Sequence, residues 1–121
     1  MNGRKITNPF SVKFEPFDNY GLSIPGMNWH KITYRKKTGQ GTYILKMEPG
    51  AKSKLHEHTN FEEFIMLDGE LIDSDNKTFK KGDIVTFEPG TNHSSHTKTG
   101  CLILVFMRAP NKELKKSARK T

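Results

Sequence analysis

Apolar and polar residues alternate in short runs along most of this chain. Tyr43, Leu45 and Met47 fall on one side of an extended segment, with Thr42, Lys46 and Glu48 on the other. That period of two predicts a half-buried strand, ended by Pro49 and Gly50. Trp29 to Lys36 alternates more loosely and runs into a turn at Thr38-Gly39-Gln40-Gly41. His56 to Leu67 reads as one long strand or two short ones, closed by Asp68-Gly69. Ser74-Asp75-Asn76 is the turn of a hairpin, and Lys81-Gly82-Asp83 leads into a strand from Ile84 to Phe87. Glu88 to Asn92 forms another turn. Thr99-Gly100 opens an almost unbroken apolar run, Cys101 to Met107, predicted to be buried on both faces. Turn signals every ~8–12 residues predict an all-β sandwich or barrel. No segment before Pro110 has helical periodicity. Asn111 to Lys120 reads at most as a frayed helix, because a single leucine gives it little to bury.

The strand pattern covers residues 29–109 and predicts one domain, which suits a chain of 121 residues. Residues 1–28 read as an irregular arm, punctuated by Pro9, Pro16, Pro25 and Gly26. Phe10, Phe14 and Phe17 are placed to pin it to the body. The lone Cys101 excludes a disulfide framework and a cysteine-rich zinc module. It starts a buried strand and is expected to be a small core residue rather than a nucleophile. The longest apolar run falls far short of the ~20 residues that span a bilayer. No apolar stretch follows Arg4 and Lys5, so a secretory signal is not expected and a cytoplasmic location is.

The formal charge is +7, which raises the question of nucleic acid. Residues 110–121 hold Lys112, Lys115, Lys116, Arg119 and Lys120 against Glu113, so this basic tail supplies +4 of the total. A solvated tail accounts for the charge. No interleaving of aromatic and basic residues suggests base reading, and neither nucleic acid nor membrane is an expected partner.

Four of the five histidines lie between residues 56 and 96. On a strand, His56, His58 and Glu62 share a face, and His93 follows a glycine-containing turn that can bring it across the same cavity. Three imidazoles and one carboxylate suit Fe(II), Mn(II), Co(II), Ni(II) or Zn(II). Such a donor set leaves two positions of an octahedral ion open for water or a bidentate substrate. His96 lies three residues past His93 and is expected to point away, His30 lies far outside the pattern, and Glu63 would replace Glu62 only if the strand carried a bulge. Phe64 and Met66 share the parity of Glu62 and form either a pocket wall or ordinary filling. The same holds for Tyr43 and Met47.

Gly50-x5-His56-x-His58-x3-Glu62-x6-Gly69 resembles the first motif of the cupin superfamily, and Gly82-x7-Gly90-x2-His93 resembles the second. In the second, Glu88 stands where the family usually has proline, with Pro89 one place later, and Thr97 stands for the usual asparagine. A finer likeness lies in His56-Glu57-His58, Glu62-Glu63, Gly69-Glu70-Leu71 with Asp73, Glu88-Pro89-Gly90-Thr91-Asn92-His93 and Gly100-Cys101-Leu102. It is to the ChrR-type cupins, a group that includes acetylacetone-cleaving-enzyme-like proteins. The resemblance implies a double-stranded β-helix, a jelly-roll barrel, with one divalent metal per chain (Fe, Zn, Mn or Ni) held by His56, His58, Glu62 and His93. It implies a homodimer, with the arm either crossing to the partner or covering its own barrel. The anti-sigma members carry a separate helical zinc domain. Residues 1–28 contain no histidine or cysteine, so sigma binding is not carried over. The function expected is a metal-dependent enzyme, dioxygenase-like or Lewis-acid, acting on a diketone, keto acid or enol. The alternative is a metal-stabilised ligand-binding or sensing module without turnover.

Overall fold

The structure, a computed structural model, describes residues 1–115. Among them there are eleven strands and no helix. The strands are β1 (Glu15–Pro16), β2 (Met27–Lys31), β3 (Gly41–Met47), β4 (His56–Glu57), β5 (Glu62–Asp73) and β6 (Thr78–Lys80). They continue with β7 (Ile84–Phe87), β8 (Asn92–His93), β9 (Ser95–His96), β10 (Cys101–Met107) and β11 (Lys112–Glu113). Eight of them form one curled antiparallel sheet in the order β1-β2-β3-β10-β5-β6, with β7 and β9 also on β5. A small sheet, β11-β4-β8, carries the remaining three.

Strand β10 lies between β3 and β5, which is why its sequence is so apolar. It is not buried throughout: Leu104 is half-buried and Phe106 is 38% exposed, because both point to the outer side of the sheet. Tyr43, Leu45 and Met47 face inward with Trp29, Phe64, Met66, Ile103 and Val105. The predicted strand at Trp29 begins two residues earlier, at Met27, and ends at Lys31. The arm is thus shorter than residues 1–28. Of its three phenylalanines only Phe17 is buried, joined in the core by Ile24, while Phe10 is 66% exposed. The arm packs onto the chain's own sheet.

Of the two readings of His56 to Leu67 the structure takes the broken one: the strand stops after Glu57 and restarts at Glu62, where Asn60 Oδ1 accepts a bond from the Phe61 amide and shapes the bend. Two other expectations need correction. Asp68-Gly69 does not close the second strand. Strand β5 runs through Gly69 to Asp73, slipping register opposite Leu102 and Ile103 so that Leu67 has no partner on β10. This bulge switches the buried parity from Glu62, Phe64 and Met66 to Leu71 and Asp73. The frayed helix is also absent within the described residues. Lys112 and Glu113 pair as a strand with Glu57 and His56, while residues 116–120 lie outside the described part.

Candidate metal centre

The two short strands of the small sheet place the histidines. His56 on β4 and His93 on β8 are direct cross-strand partners. One residue beyond β4, the His58 amide donates to the Thr91 carbonyl, and Gly90 N–H donates back to the His58 carbonyl. The Glu88–Asn92 turn therefore holds His58 and delivers His93 at once. All three histidines are buried, and one ring nitrogen of each lies within 4.8 Å of the other two.

The hydrogen bonds fix which nitrogens face inward. His56 Nδ1 donates to the Lys54 carbonyl at 2.7 Å. His93 Nδ1 donates to the Asp73 carboxylate. His58 Nδ1 lies 3.0 Å from Thr91 Oγ1, whose only hydrogen is already given to the Glu88 carbonyl, so here too Nδ1 is the donor. Each Nδ1 thus carries the proton, and each Nε2 presents a lone pair to the cluster. Outer hydrogen bonds of this kind orient metal-binding imidazoles. His58 Nε2 is buried and has no hydrogen-bond partner. A buried nitrogen left in that state is costly unless something electrophilic meets it. The donor set and the orphaned atom both fit a divalent transition metal.

Glu62 begins β5 beside the cluster. Its Oε1 stands 3.4 Å from His58 Nε2 and accepts a hydrogen bond from Asn111 Nδ2 at 3.0 Å. Burial by itself would raise the Glu62 carboxyl, but its polar neighbours, the Asn111 amide among them, hold the group below its ordinary value. Glu62 reaches the site although the strand is broken, because the bend at residues 58–61 replaces the strand geometry that the sequence implied.

A cavity of about 50 Å³ opens over His56, Glu62 and His93. It has room for a few waters or a small ligand, against the ~300 Å³ of a typical ligand pocket. Tyr43, Met47 and Phe64 line it, as the parity allowed, while Met66 is buried in the core but is not part of the lining. Phe17, Tyr20 and Ile24 of the arm line it as well. The remaining candidates sit elsewhere. Glu63 turns outward to Thr86 and Arg108. His96 is half-buried on β9, and His30 Nδ1 meets the Lys13 carbonyl. Burial pushes the Cys101 thiol up to about 11, which suits an inert core residue. Thr97, at the place of the motif's asparagine, is fully buried; it donates to the Glu70 carbonyl and accepts from the Gly100 amide.

Two residues whose side chains hydrogen-bond the candidate ligands, Asp73 and Asn111, were not singled out from the sequence as site residues. Asp73 enters only because the bulge reverses the parity of β5. The change of phase between Met66 and Leu71 was the available signal. Asn111 carried no signal, since only the long-range pairing of β11 with β4 brings it in.

Burial lowers His56 to about 4, against a weaker opposing pull from the Lys54 carbonyl and from Glu62. The folded state therefore holds His56 neutral where the unfolded chain takes up a proton. Stability from this group is complete above pH ~6.5 and falls as pH drops towards 4, by up to about 3 kcal/mol. Thermal melts of metal-free protein between pH 7.5 and 4 are expected to show this decline. A flat profile would show that His56 is not held neutral by burial.

Residues 7–110 match the ChrR cupin-like domain family. No curated protein matches the sequence. Among solved structures, an acetylacetone dioxygenase from Acinetobacter johnsonii superposes with a TM-score of 0.73 at 17% identity, over 98% of this chain and 87% of that one. The polyketide cyclase RemF from Streptomyces resistomycificus gives 0.70 at 17% identity, over 93% and 88%. A chain of the Rhodobacter sphaeroides complex of SigE with the anti-sigma ChrR gives 0.64 at 17% identity, over 82% of this chain and only 50% of that one. At these identities the likeness concerns the fold. Among the described residues no helix is long and apolar enough to cross a membrane. With the family match covering most of its length and a buried three-histidine cluster where the two motifs meet, this chain belongs to the ChrR cupin-like domain family of the cupin superfamily.

Proposed function

We propose that this chain is a metal-dependent enzyme in which His56, His58 and His93 would hold one divalent transition metal, with Glu62 completing the set. The observation that carries the reading is the inward presentation of three Nε2 lone pairs, one of them otherwise orphaned. A metal there would supply Lewis-acid polarisation of bound oxygens and, as iron, access to dioxygen chemistry. The chain's own residues do the rest. The Nδ1 hydrogen bonds keep the imidazoles from turning, Glu62 can ligate or hold a proton at Oε1, and the apolar lining excludes bulk water. A small substrate with two oxygen donors, such as a β-diketone, keto acid or enol, suits the donor set. Fold likeness to an acetylacetone dioxygenase supports the same class.

A second reading is a metal-stabilised ligand-binding or sensing module without turnover. It is favoured by the small volume of the cavity, about 50 Å³, which Phe17, Tyr20 and Ile24 of the arm help to line. Elemental analysis of untagged protein, purified without chelator or nickel resin, separates the two when joined to oxygen uptake with β-diketones and keto acids. Near-stoichiometric iron with substrate-dependent uptake is the expected result. Stoichiometric zinc without turnover would move the assignment to the binding module. Absence of metal after anaerobic reconstitution would overturn both.

A further inference from the structure

The metal centre is bordered by a segment outside the cupin motifs. After the last long strand the chain turns at Pro110 and runs back along the histidine-bearing segment. Thr59 Oγ1 donates to the Pro110 carbonyl at 2.7 Å, Lys112 and Glu113 pair with Glu57 and His56, and the Leu114 amide donates to the Leu55 carbonyl at 2.9 Å. This strap holds residues 55–59 by their backbone. One side chain on it also reaches the site: Asn111 Nδ2 donates to Glu62 Oε1, the same oxygen that stands 3.4 Å from His58 Nε2.

We infer that Asn111 is a positioning residue for the metal centre, holding the Glu62 carboxylate against the three histidines. The inference rests on the metal-binding reading and adds to it a residue that the motifs do not contain. Three observations carry it. Glu62 is only 7% exposed, so it has little water with which to replace a lost donor. A carboxylate side chain has rotamers to spare, and the amide bond selects the one that points Oε1 to His58. The strap is zipped to the ligand strand on both sides of Asn111, so the amide is aimed by the same backbone that aims His56. Glu62 without this tether keeps its charge but not its direction.

The test is a double-mutant cycle on Co(II) binding, read by the visible spectrum of the bound ion and by competition with a chromophoric chelator. Asn111→Leu, Glu62→Ala and the double variant are compared with the parent protein. Lys112→Ala, an exposed neighbour on the same strap, controls for loosening of the strap, and thermal melts control for folding. Removing an outer hydrogen-bond partner commonly costs ~10–100-fold in metal affinity. Asn111→Leu is therefore expected to weaken Co(II) binding by about tenfold or more and to change its spectrum. In the Glu62→Ala background the same substitution should cost nothing further. Lys112→Ala should resemble the parent. Equal losses in the two backgrounds, or parental affinity and spectrum in Asn111→Leu, would overturn the positioning role while leaving the metal site standing. A parent protein that binds no Co(II) would overturn the metal reading and this inference together.

Discussion

Gly69→Ala is expected to cost the protein several kcal/mol of stability, enough to remove most of the folded population. Gly69 lies inside β5, opposite Cys101, with φ at +76°. A Cβ there would collide with the Gly100 carbonyl oxygen and stand 2.8 Å from Cys101 Cα. Both obstacles are backbone, so no side chain can swing aside. Relief requires β5 and β10 to separate. These strands form the middle of the sheet, where β5 also carries β6, β7 and β9. The inner faces of β5 and β10 supply Phe64, Met66, Ile103 and Val105 to the core. A domain with ~5–15 kcal/mol in hand cannot absorb that loss easily. Gly82→Ala provides the comparison: its φ is +93°, but nothing lies within 4 Å of the added carbon. It is expected to cost only about 1 kcal/mol, the strain of the left-handed backbone. Urea denaturation of both variants measures the difference. Equal midpoints would mean that the approach of the two strands is loose enough to yield.

The same glycine shows what the sequence could and could not convey. Local chemistry made the turns legible: Ser74-Asp75-Asn76, Lys81-Gly82-Asp83 and Thr99-Gly100 stand where expected, with Asn76 taking the positive φ of the first. Alternation made β3 legible and an unbroken apolar run made β10 legible, since both strands pack against a continuous core. Asp68-Gly69 carries the same signs as those turns, yet the chain passes straight on. What decides is whether a partner strand continues alongside, and that is a fact about β10, which begins only at Cys101, far along the chain from Gly69, and not about the dipeptide. The motifs placed three histidines and Glu62 near one another through spacing, and the structure brings them together by a different local geometry: a bend at residues 58–61 and cross-strand pairing of His56 with His93. Spacing survived where the assumed strand did not, because the cluster depends on where the chain returns rather than on how it travels. The outer hydrogen bonds from Asp73 and Asn111 were not legible, since one needs the bulge and the other needs the β11–β4 pairing.

His58→Leu is expected to have effects of opposite sign on metal binding and on the metal-free fold. His58 is fully buried, stacked on Phe87 with ring centroids 4.7 Å apart and an interplanar angle of 13°. Its Nε2 has no hydrogen-bond partner. Without a metal, that atom has given up its water and gained nothing, a penalty of ~1–3 kcal/mol. Leucine fills a similar space against Phe87 and removes the orphan. It also removes the bond to Thr91 Oγ1, but Thr91 is exposed and water can take that place. The metal-free variant is therefore expected to melt no lower than the metal-free parent, and to melt higher if the penalty is at the upper end. Metal reverses the order. A ligand that binds only the folded state stabilises it by RT ln(1 + [L]/Kd), about 4 kcal/mol at a thousandfold excess over Kd. The parent should gain that increment on loading, and the variant, with one imidazole gone, should gain almost none and hold far less than one ion per chain. Differential scanning fluorimetry with and without Zn(II) or Co(II), beside elemental analysis, reads both effects from the same samples. A binding site keeps a group that the empty fold would be better without. If His58→Leu instead weakens the metal-free protein by several kcal/mol and leaves the metal-induced shift intact, His58 is a structural residue and the lone pair facing the cluster has no ligand to serve.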